Sequence, residues 1–396
     1  METLAIVGAS LAGLSAARAA RAKGFAGRLV IVGDEAERPY DRPPLSKDFL
    51  LGRMTAGDLA LEAGNEDLQA EWLLGHRALG LDGEAKAIML EDGTIIAADG
   101  IVIATGASAR RLPSLEGFTN VHTLRTLDDS RQLAAELLPG RRLVIIGAGF
   151  IGAEVASTAS SLGLEVTLVN AEPVPFSAAL GAEMGEVVAG LQVSRGVALL
   201  RDTTIDSVES AGGRVTGLNL TNGQRLAADL VLVGIGAVPN TAWLSFSGLD
   251  VKNGVLCDAA GRTNLPGIVA AGDCAAWFDE RAETHRRVEH WTSATEQAEI
   301  AVEALLGAAP SAAKPKPHYF WSDQHGVKLQ FAGNAGEADR VEIEAGSAQA
   351  HDLLAVYYRA SEPVAVLGMN QPRLFVKWRR ALAQAAASAP TSSVPA

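Results

Sequence analysis

The chain has 396 residues, 48% of them apolar and 41 of them glycine, enough for two or three domains with buried cores joined by many tight turns. Its formal charge of −12 argues against a nucleic-acid binder, which needs a basic face to displace counterions from phosphate. Two cysteines, Cys257 and Cys274, have the spacing of neither a redox pair nor a zinc site, and with no metal-ligand cluster visible they read as structural.

In chain order, Met1-Glu2-Thr3 runs straight into the predicted strand Leu4-Ala5-Ile6-Val7 without a basic segment or an apolar signal core, so a cytoplasmic protein is expected. The turn Gly8-Ala9-Ser10-Leu11-Ala12-Gly13 follows, then an alanine-rich helix closed by Gly24 and a second strand, Leu29-Val30-Ile31-Val32. After Gly33-Asp34-Glu35 comes the run Arg42-Pro43-Pro44-Leu45-Ser46-Lys47, and later a buried strand ending in a turn, Ile101-Val102-Ile103-Ala104-Thr105-Gly106. The opening pattern then recurs. Leu143-Val144-Ile145-Ile146 leads into Gly147-Ala148-Gly149-Phe150-Ile151-Gly152, a helix closed by Gly163, and Val166-Thr167-Leu168-Val169.

In such a strand-turn-helix-strand unit the first glycine makes the tight turn, the second lets a pyrophosphate touch backbone, and the third lets the helix press on the sheet. The helix N-terminus then faces the phosphates. Ser10 replaces the middle glycine in the first copy, so backbone approach there must tolerate a small side chain. Two copies suggest two dinucleotides, one held and one exchanged, for which FAD and a nicotinamide cofactor are the natural pair. The acid that usually follows the second strand is replaced by Asn170 in the second copy, whereas Glu172 aligns with Glu35 and is placed to bind the adenosine ribose and repel a 2′-phosphate. With no lysine or arginine between Gly163 and Arg195, NADH is expected over NADPH.

The uncharged stretch Leu230 to Leu249 is interrupted by Pro239, Asn240 and Thr241, so it reads as a buried strand and loop rather than a membrane span. Ile268-Val269-Ala270-Ala271-Gly272-Asp273 is a further strand and glycine turn, expected to rejoin the first sheet. Glu289-His290-Trp291 and Tyr319-Phe320-Trp321-Ser322-Asp323-Gln324 follow. Between the latter two runs, a linker rich in Ala, Pro and Lys spans Gly307 to Pro317, and the tail from Ala383 onward reads as frayed.

Taken together, the RPPLSK run, the two glycine turns, Gly272-Asp273, Glu289-His290-Trp291 and YFWSDQ resemble the ferredoxin reductase components of Rieske dioxygenase and bacterial cytochrome P450 systems. The resemblance covers essentially the whole chain. It implies an α/β fold with two Rossmann-like dinucleotide-binding domains, one inserted in the other, plus a small C-terminal α/β domain. The domains are expected at 1–110 and 238–308 for FAD, 111–237 for NAD(P)H, and 309–396 for the C-terminal domain with its flexible tail. The disulfide reductases of the same superfamily carry reactive cysteine where RPPLSK stands here, so a one-electron protein acceptor is the expected destination of the electrons.

By the resemblance, Asp34 and Glu35 lie at the FAD ribose, Asp273 at the ribityl chain and Arg125 at the FAD phosphates. Lys47 sits beside flavin N5 paired with Glu154, and Trp291 lies along the isoalloxazine beside Glu289. Lys47, Glu154 and Trp291 are the candidate catalytic residues. Further cofactor contacts are implied at Gly8, Ser10, Ala12, Gly13, Arg42, Ala78, Ala104, Thr105, Gly106, Gly147, Gly149, Ile151, Gly152, Gly236 and Gly272. The implied activity carries electrons from NADH through FAD to an iron–sulfur ferredoxin, in a monomer or homodimer. A rubredoxin reductase, or a flavoprotein whose partner binding is switched by NADH, would share these residues. Two basic clusters are candidate ferredoxin contacts: Arg281, Arg286 and Arg287, and Arg373, Lys377, Arg379 and Arg380, the latter at helical spacing.

Overall fold

The structure is a computed structural model and describes residues 1–280, 282–307 and 317–388. The chain divides into two compact units. One contains Met1–Asp41, Gly57–Ser108 and Ala237–Ala313; the other contains Arg42–Ala56, Ala109–Gly236 and Lys314–Ala396.

The first unit is built on a five-stranded parallel sheet in the order Ile268–Ala270, Gly100–Ile103, Thr3–Val7, Arg28–Gly33, Ala70–Leu74. Its central strands are apolar almost throughout because both faces are covered. Alternation sends Leu4, Ile6, Leu29 and Ile31 to one side, where helices α1 (Leu11–Ala22) and the later Trp291–Leu305 pack through Ala16, Ala20, Ala298 and Val302. Ala5, Val7, Val30 and Val32 face the other side, against Leu81, Ile88, Leu90 and Ile96 of a small antiparallel sheet. The strand Ile268–Ala270 does rejoin this sheet, pairing with Ile101–Ile103.

The second unit repeats the plan. Its parallel sheet runs Ala198–Leu200, Glu165–Val169, Arg142–Ile146, Leu230–Val233, Val121–His122. Helix α2 (Leu127–Glu136) opens with a capping box between Thr126 and Asp129, and α3 (Phe150–Ser161) follows the second glycine turn. Helix α4 (Ser177–Ser194) is kinked at Gly181, whose φ of 74° no interior helical residue adopts. The Tyr357 hydroxyl donates to the Leu180 carbonyl at 2.7 Å beside that kink.

The C-terminal part of the second unit is an antiparallel sheet ordered Tyr319–Gln324, Val327–Gly333, Glu362–Met369, Asp352–Arg359, Arg340–Ser347. Period-two alternation gives it two apolar faces. Leu353, Ala355 and Leu367 pack with Met184 and Val188 of α4, and Leu354, Val356 and Val366 pack with Phe375 and Leu382 of the last helix, Pro372–Ser388. That helix runs through Ser388, so residues 383–388 are helical rather than frayed; the alanine that reads as a tail is also the residue with the highest helix propensity. The tail beyond Ser388 and linker residues 308–316 lie outside the described residues. Among the described residues no helix is long and apolar enough to cross a membrane.

Candidate functional site

The two glycine turns both open on a glycine at positive φ. Gly8 has φ +123°, and a Cβ there would lie 2.0 Å from the Ala104 carbonyl oxygen; Gly147 has φ +100°, with a Cβ 2.3 Å from the Gly234 carbonyl oxygen. At the third glycines the helix crosses its own strand so closely that a Cβ would meet the turn, at 1.8 Å from Gly8 O for Gly13 and 2.3 Å from Gly147 O for Gly152. These four positions admit glycine alone.

The middle position behaves differently. Gly149, the N-cap of α3, has φ −79° and ψ −177°, and a Cβ there would meet no atom within 4 Å. Ser10, the N-cap of α1, takes a similar extended conformation with φ −114° and ψ −159°. Local backbone strain therefore asks for glycine at neither place. What Gly149 leaves is open space in front of a helix whose first N–H groups have no intrahelical partner, a cradle that fits a pyrophosphate. Ile151, in the first turn of α3, is 43% exposed beside it.

In the first unit Asp34 and Glu35 follow the strand Arg28–Gly33. Asp34 is ion-paired with Arg77 at 3.0 Å, next to Ala78, and Glu35 accepts a hydrogen bond from the Tyr40 hydroxyl. The Ala104-Thr105-Gly106 turn lies against Gly8, with Thr105 bonded through its hydroxyl to the Asn240 carbonyl at 2.7 Å. Gly272, at φ +75°, approaches Ala12: a Cβ on it would lie 3.0 Å from the alanine's own Cβ. Its N–H donates to Gln297, and the Asp273 carbonyl accepts from Arg287. Trp291 is 37% exposed and donates through Nε1 to Asp41 Oδ1 at 2.9 Å. The sequence-predicted residues Gly8, Ser10, Ala12, Gly13, Ala104, Thr105, Gly106 and Gly272 thus converge at the carboxyl ends of this sheet's strands, where open α/β sheets bind ligands.

In the second unit Lys47 and Glu154 form an ion pair at 2.8 Å. Glu154 is 6% exposed and accepts two further hydrogen bonds, from Ser46 Oγ at 2.5 Å and Ser322 Oγ at 2.6 Å. Lys47 also donates to the Pro43 carbonyl at 3.0 Å, so the proline turn and α3 together aim it. Arg42 donates to the Arg125 carbonyl at 2.8 Å, while the Arg125 N–H donates to Asp129, fixing that stretch to α2. Gly236, at φ +96°, accepts from the Arg110 N–H.

Asn170 is 9% exposed and engaged at both ends of its amide: its Oδ1 accepts from the Ala148 N–H at 3.2 Å and its Nδ2 donates to the Glu172 carbonyl at 2.8 Å. It braces the second glycine turn, and the Glu172 carboxylate stands exposed two residues on. Sequence reasoning missed this bracing role, and it missed Ser46 and Ser322 as partners of Glu154. Ser322 is 168 residues from Glu154, and no local pattern joins them.

The basic clusters fare unequally. Arg286 is paired with Asp279 at 3.0 Å and Arg287 with Glu289, so these two charges of the first cluster are compensated locally; Arg281 lies outside the described residues. Arg373, Lys377 and Arg380 are exposed on the last helix, while Arg379 stacks 4.2 Å over the Tyr319 ring. Both cysteines are free and buried, and burial pushes the Cys257 thiol up to about 12, far from the thiolate form that redox exchange requires.

The profile of the family described as pyridine nucleotide-disulphide oxidoreductase matches residues 2–298, and that described as reductase C-terminal matches residues 319–394. Rhodocoxin reductase of Rhodococcus erythropolis is 34% identical over 392 residues, covering 96% of this chain and 89% of its own. The ferredoxin–NAD(+) reductase component of the biphenyl dioxygenase system of Paraburkholderia xenovorans is 38% identical over 337 residues, covering 85% of this chain and 82% of its own. Among solved structures, the covalent putidaredoxin reductase–putidaredoxin complex superposes with a TM-score of 0.92 at 31% identity, over 97% of this chain and 93% of the other. On these grounds the chain belongs to the pyridine nucleotide-disulphide oxidoreductase family, in the group of ferredoxin reductases that includes putidaredoxin reductase.

Proposed function

We infer that this protein is an FAD-dependent NAD(P)H:ferredoxin oxidoreductase, passing electrons from NADH to a small iron–sulfur ferredoxin that serves a Rieske oxygenase or a cytochrome P450. The observation that carries the reading is the pair of matching glycine cradles in one chain, each backed by close contacts that only glycine satisfies, in a chain related over nearly its whole length to such reductases. Bound FAD supplies the chemistry: it takes two electrons from NADH as hydride and releases them singly.

The chain's own residues bind, orient and tune. The first cradle, with Asp34, Glu35 and Asp273, holds FAD; the second, braced by Asn170 and flanked by Glu172, holds the nicotinamide dinucleotide. Arg125 stands for the FAD phosphates and Trp291 for the flavin ring, the latter oriented by its bond to Asp41. The Lys47–Glu154 pair places a cation for the flavin as it gains negative charge, and the buried carboxylate keeps that cation compensated between turnovers. Ferredoxin docks on the exposed basic face of the last helix, and the reaction takes place in the cytoplasm, where NADH is available. The purified protein should be yellow, release FAD on denaturation, and reduce ferredoxin or cytochrome c with NADH. A colourless protein that cannot be reconstituted with FAD, or one that is yellow but does not turn over with any ferredoxin, would sink the reading.

A further inference from the structure

The strand Tyr319–Gln324 carries two polar side chains, Ser322 and Gln324, that are 0% exposed. Buried polar groups without partners are costly, so a strand that keeps two of them on one face has somewhere to send their hydrogen bonds. Here the bonds form a single file. His325 Nε2 meets Gln192 Oε1 at 2.9 Å, Gln192 Nε2 donates to Gln324 Oε1 at 2.8 Å, Gln324 Nε2 donates to Ser322 Oγ at 3.1 Å, and Ser322 Oγ donates to Glu154 Oε1 at 2.6 Å. An amide oxygen only accepts, so His325 Nε2 is the donor at the far end.

Every bond in the file therefore runs the same way, from His325 toward the Glu154 carboxylate. Hydrogen bonds aligned in one sense polarise one another, and this row presents its positive ends to the negative charge. The turn that starts it is tight. His325 has φ +51° and Gly326 φ +77°, the pairing of a tight two-residue hairpin turn, and Ser157 of α3 fixes it by accepting from the His325 N–H at 2.7 Å. At the other end, Glu154 Oε2 is left for Ser46 and Lys47.

We propose that Ser322, Gln324 and Gln192 are positioning residues of the electron-transfer reaction, a one-way hydrogen-bonded file that holds the Glu154 carboxylate in register with Lys47. The proposal rests on the Lys47–Glu154 pair acting in flavin reduction. A glutamate side chain has three rotatable bonds, and with Ser322 gone one of its oxygens loses its donor in a buried site, so the carboxylate turns away from the orientation that fixes the lysine. It also gives Ser322 and Gln324 of the YFWSDQ run a role within the C-terminal sheet.

The test is a double-mutant cycle read by anaerobic stopped-flow. The limiting rate of flavin reduction by NADH, the NADH Kd and the flavin midpoint potential are measured for Lys47→Ala, Ser322→Ala, Gln324→Leu and Lys47→Ala combined with Ser322→Ala, with FAD content and Tm recorded for each. Ser322→Ala should slow reduction about three- to tenfold with the NADH Kd unchanged, and should shift the potential in the same direction as Lys47→Ala by a smaller amount. Gln324→Leu, one link further away, should give a smaller slowing of the same kind. In the Lys47→Ala background, removing Ser322 should change nothing further, because the file acts only through the pair. If Lys47→Ala slows reduction while Ser322→Ala and Gln324→Leu leave it at the wild-type rate, or if the two effects multiply in the double variant, the file is overturned and the pair's role stands. If Lys47→Ala itself has no effect on rate or potential, the pair's role fails and the file with it. Should Ser322→Ala not fold, Gln324→Leu keeps the serine hydroxyl in place and carries the same cycle.

Discussion

Replacing Gly149 by valine separates the nucleotide site from the fold that builds it. The backbone there is extended, with φ −79° and ψ −177°, which suits a β-branched residue, and a Cβ would meet no atom within 4 Å. Valine is a poorer N-cap than glycine by a few tenths to about 1 kcal/mol, and restricting the unfolded chain offsets this by about 0.4–1 kcal/mol. Net stability should change by less than about 1 kcal/mol, and Tm by no more than about 3 °C. The side chain would nevertheless fill the space through which a pyrophosphate reaches the first N–H groups of α3. Losing one hydrogen bond to a charged group, about 1.5–3 kcal/mol, should weaken NADH binding roughly tenfold to 150-fold. Gly149→Ser should weaken it by no more than about threefold, because Ser10 already occupies the matching place in the first copy in a similar conformation. Gly152→Ala, whose Cβ would lie 2.3 Å from Gly147 O, should instead lose stability and NADH binding together. The assay is the NADH dependence of flavin reduction in anaerobic stopped-flow, with FAD content and Tm measured on the same samples. A Gly149→Val protein with full FAD and an NADH Kd within threefold of wild type would show that Gly149 does not face the pyrophosphate.

Glu172→Gln should raise the NADPH-to-NADH ratio of kcat/KM about tenfold by removing the repulsion of a 2′-phosphate; an unchanged ratio takes Glu172 out of the ribose site. Neutralising Arg373, Lys377 and Arg380 together should slow ferredoxin reduction several-fold at low ionic strength, with NADH-to-ferricyanide activity intact, and the difference should fade with added salt. A wild-type ferredoxin rate at low salt in that variant would place docking elsewhere. Burial, aided by Arg195, lowers the His325 imidazole from its ordinary value near 6.5 to about 4. The unfolded chain takes up this proton near pH 6.5 and the folded chain only near pH 4, so the contribution is fully present above pH 6.5 and is lost as pH falls toward 4. Allowing for solvent screening, His325→Asn, which also tolerates the positive φ, should lose about 1 kcal/mol less stability than wild type between pH 7 and pH 5, read from urea midpoints; equal losses would remove His325 as the cause.

The two dinucleotide folds are legible from residues alone, because each is a local pattern: a run of apolar residues, glycines at fixed spacing and a helix within about thirty residues. So is the steric reason for glycine at Gly8, Gly13, Gly147 and Gly152, since the turn dictates φ and close approach wherever it occurs. The pairing of Lys47 with Glu154 came through family resemblance, for nothing in either residue's neighbourhood points to the other.

Which charges stay exposed and which polar groups meet depends on how distant elements pack. Arg286 and Arg287 look like a basic patch in the sequence, yet a short hairpin folds them onto Asp279 and Glu289, whereas the similar-looking Arg373, Lys377 and Arg380 stay exposed because their helix buries its opposite, apolar stripe. Asn170 reads as a missing acid until the Ala148 N–H is seen at its carbonyl. The file from His325 to Glu154 draws on a hairpin turn, the strand before it and two helices, elements separated by as much as 168 residues. Hydrogen bonds act over about 3 Å, and only the packing of those elements brings their donors and acceptors within that reach.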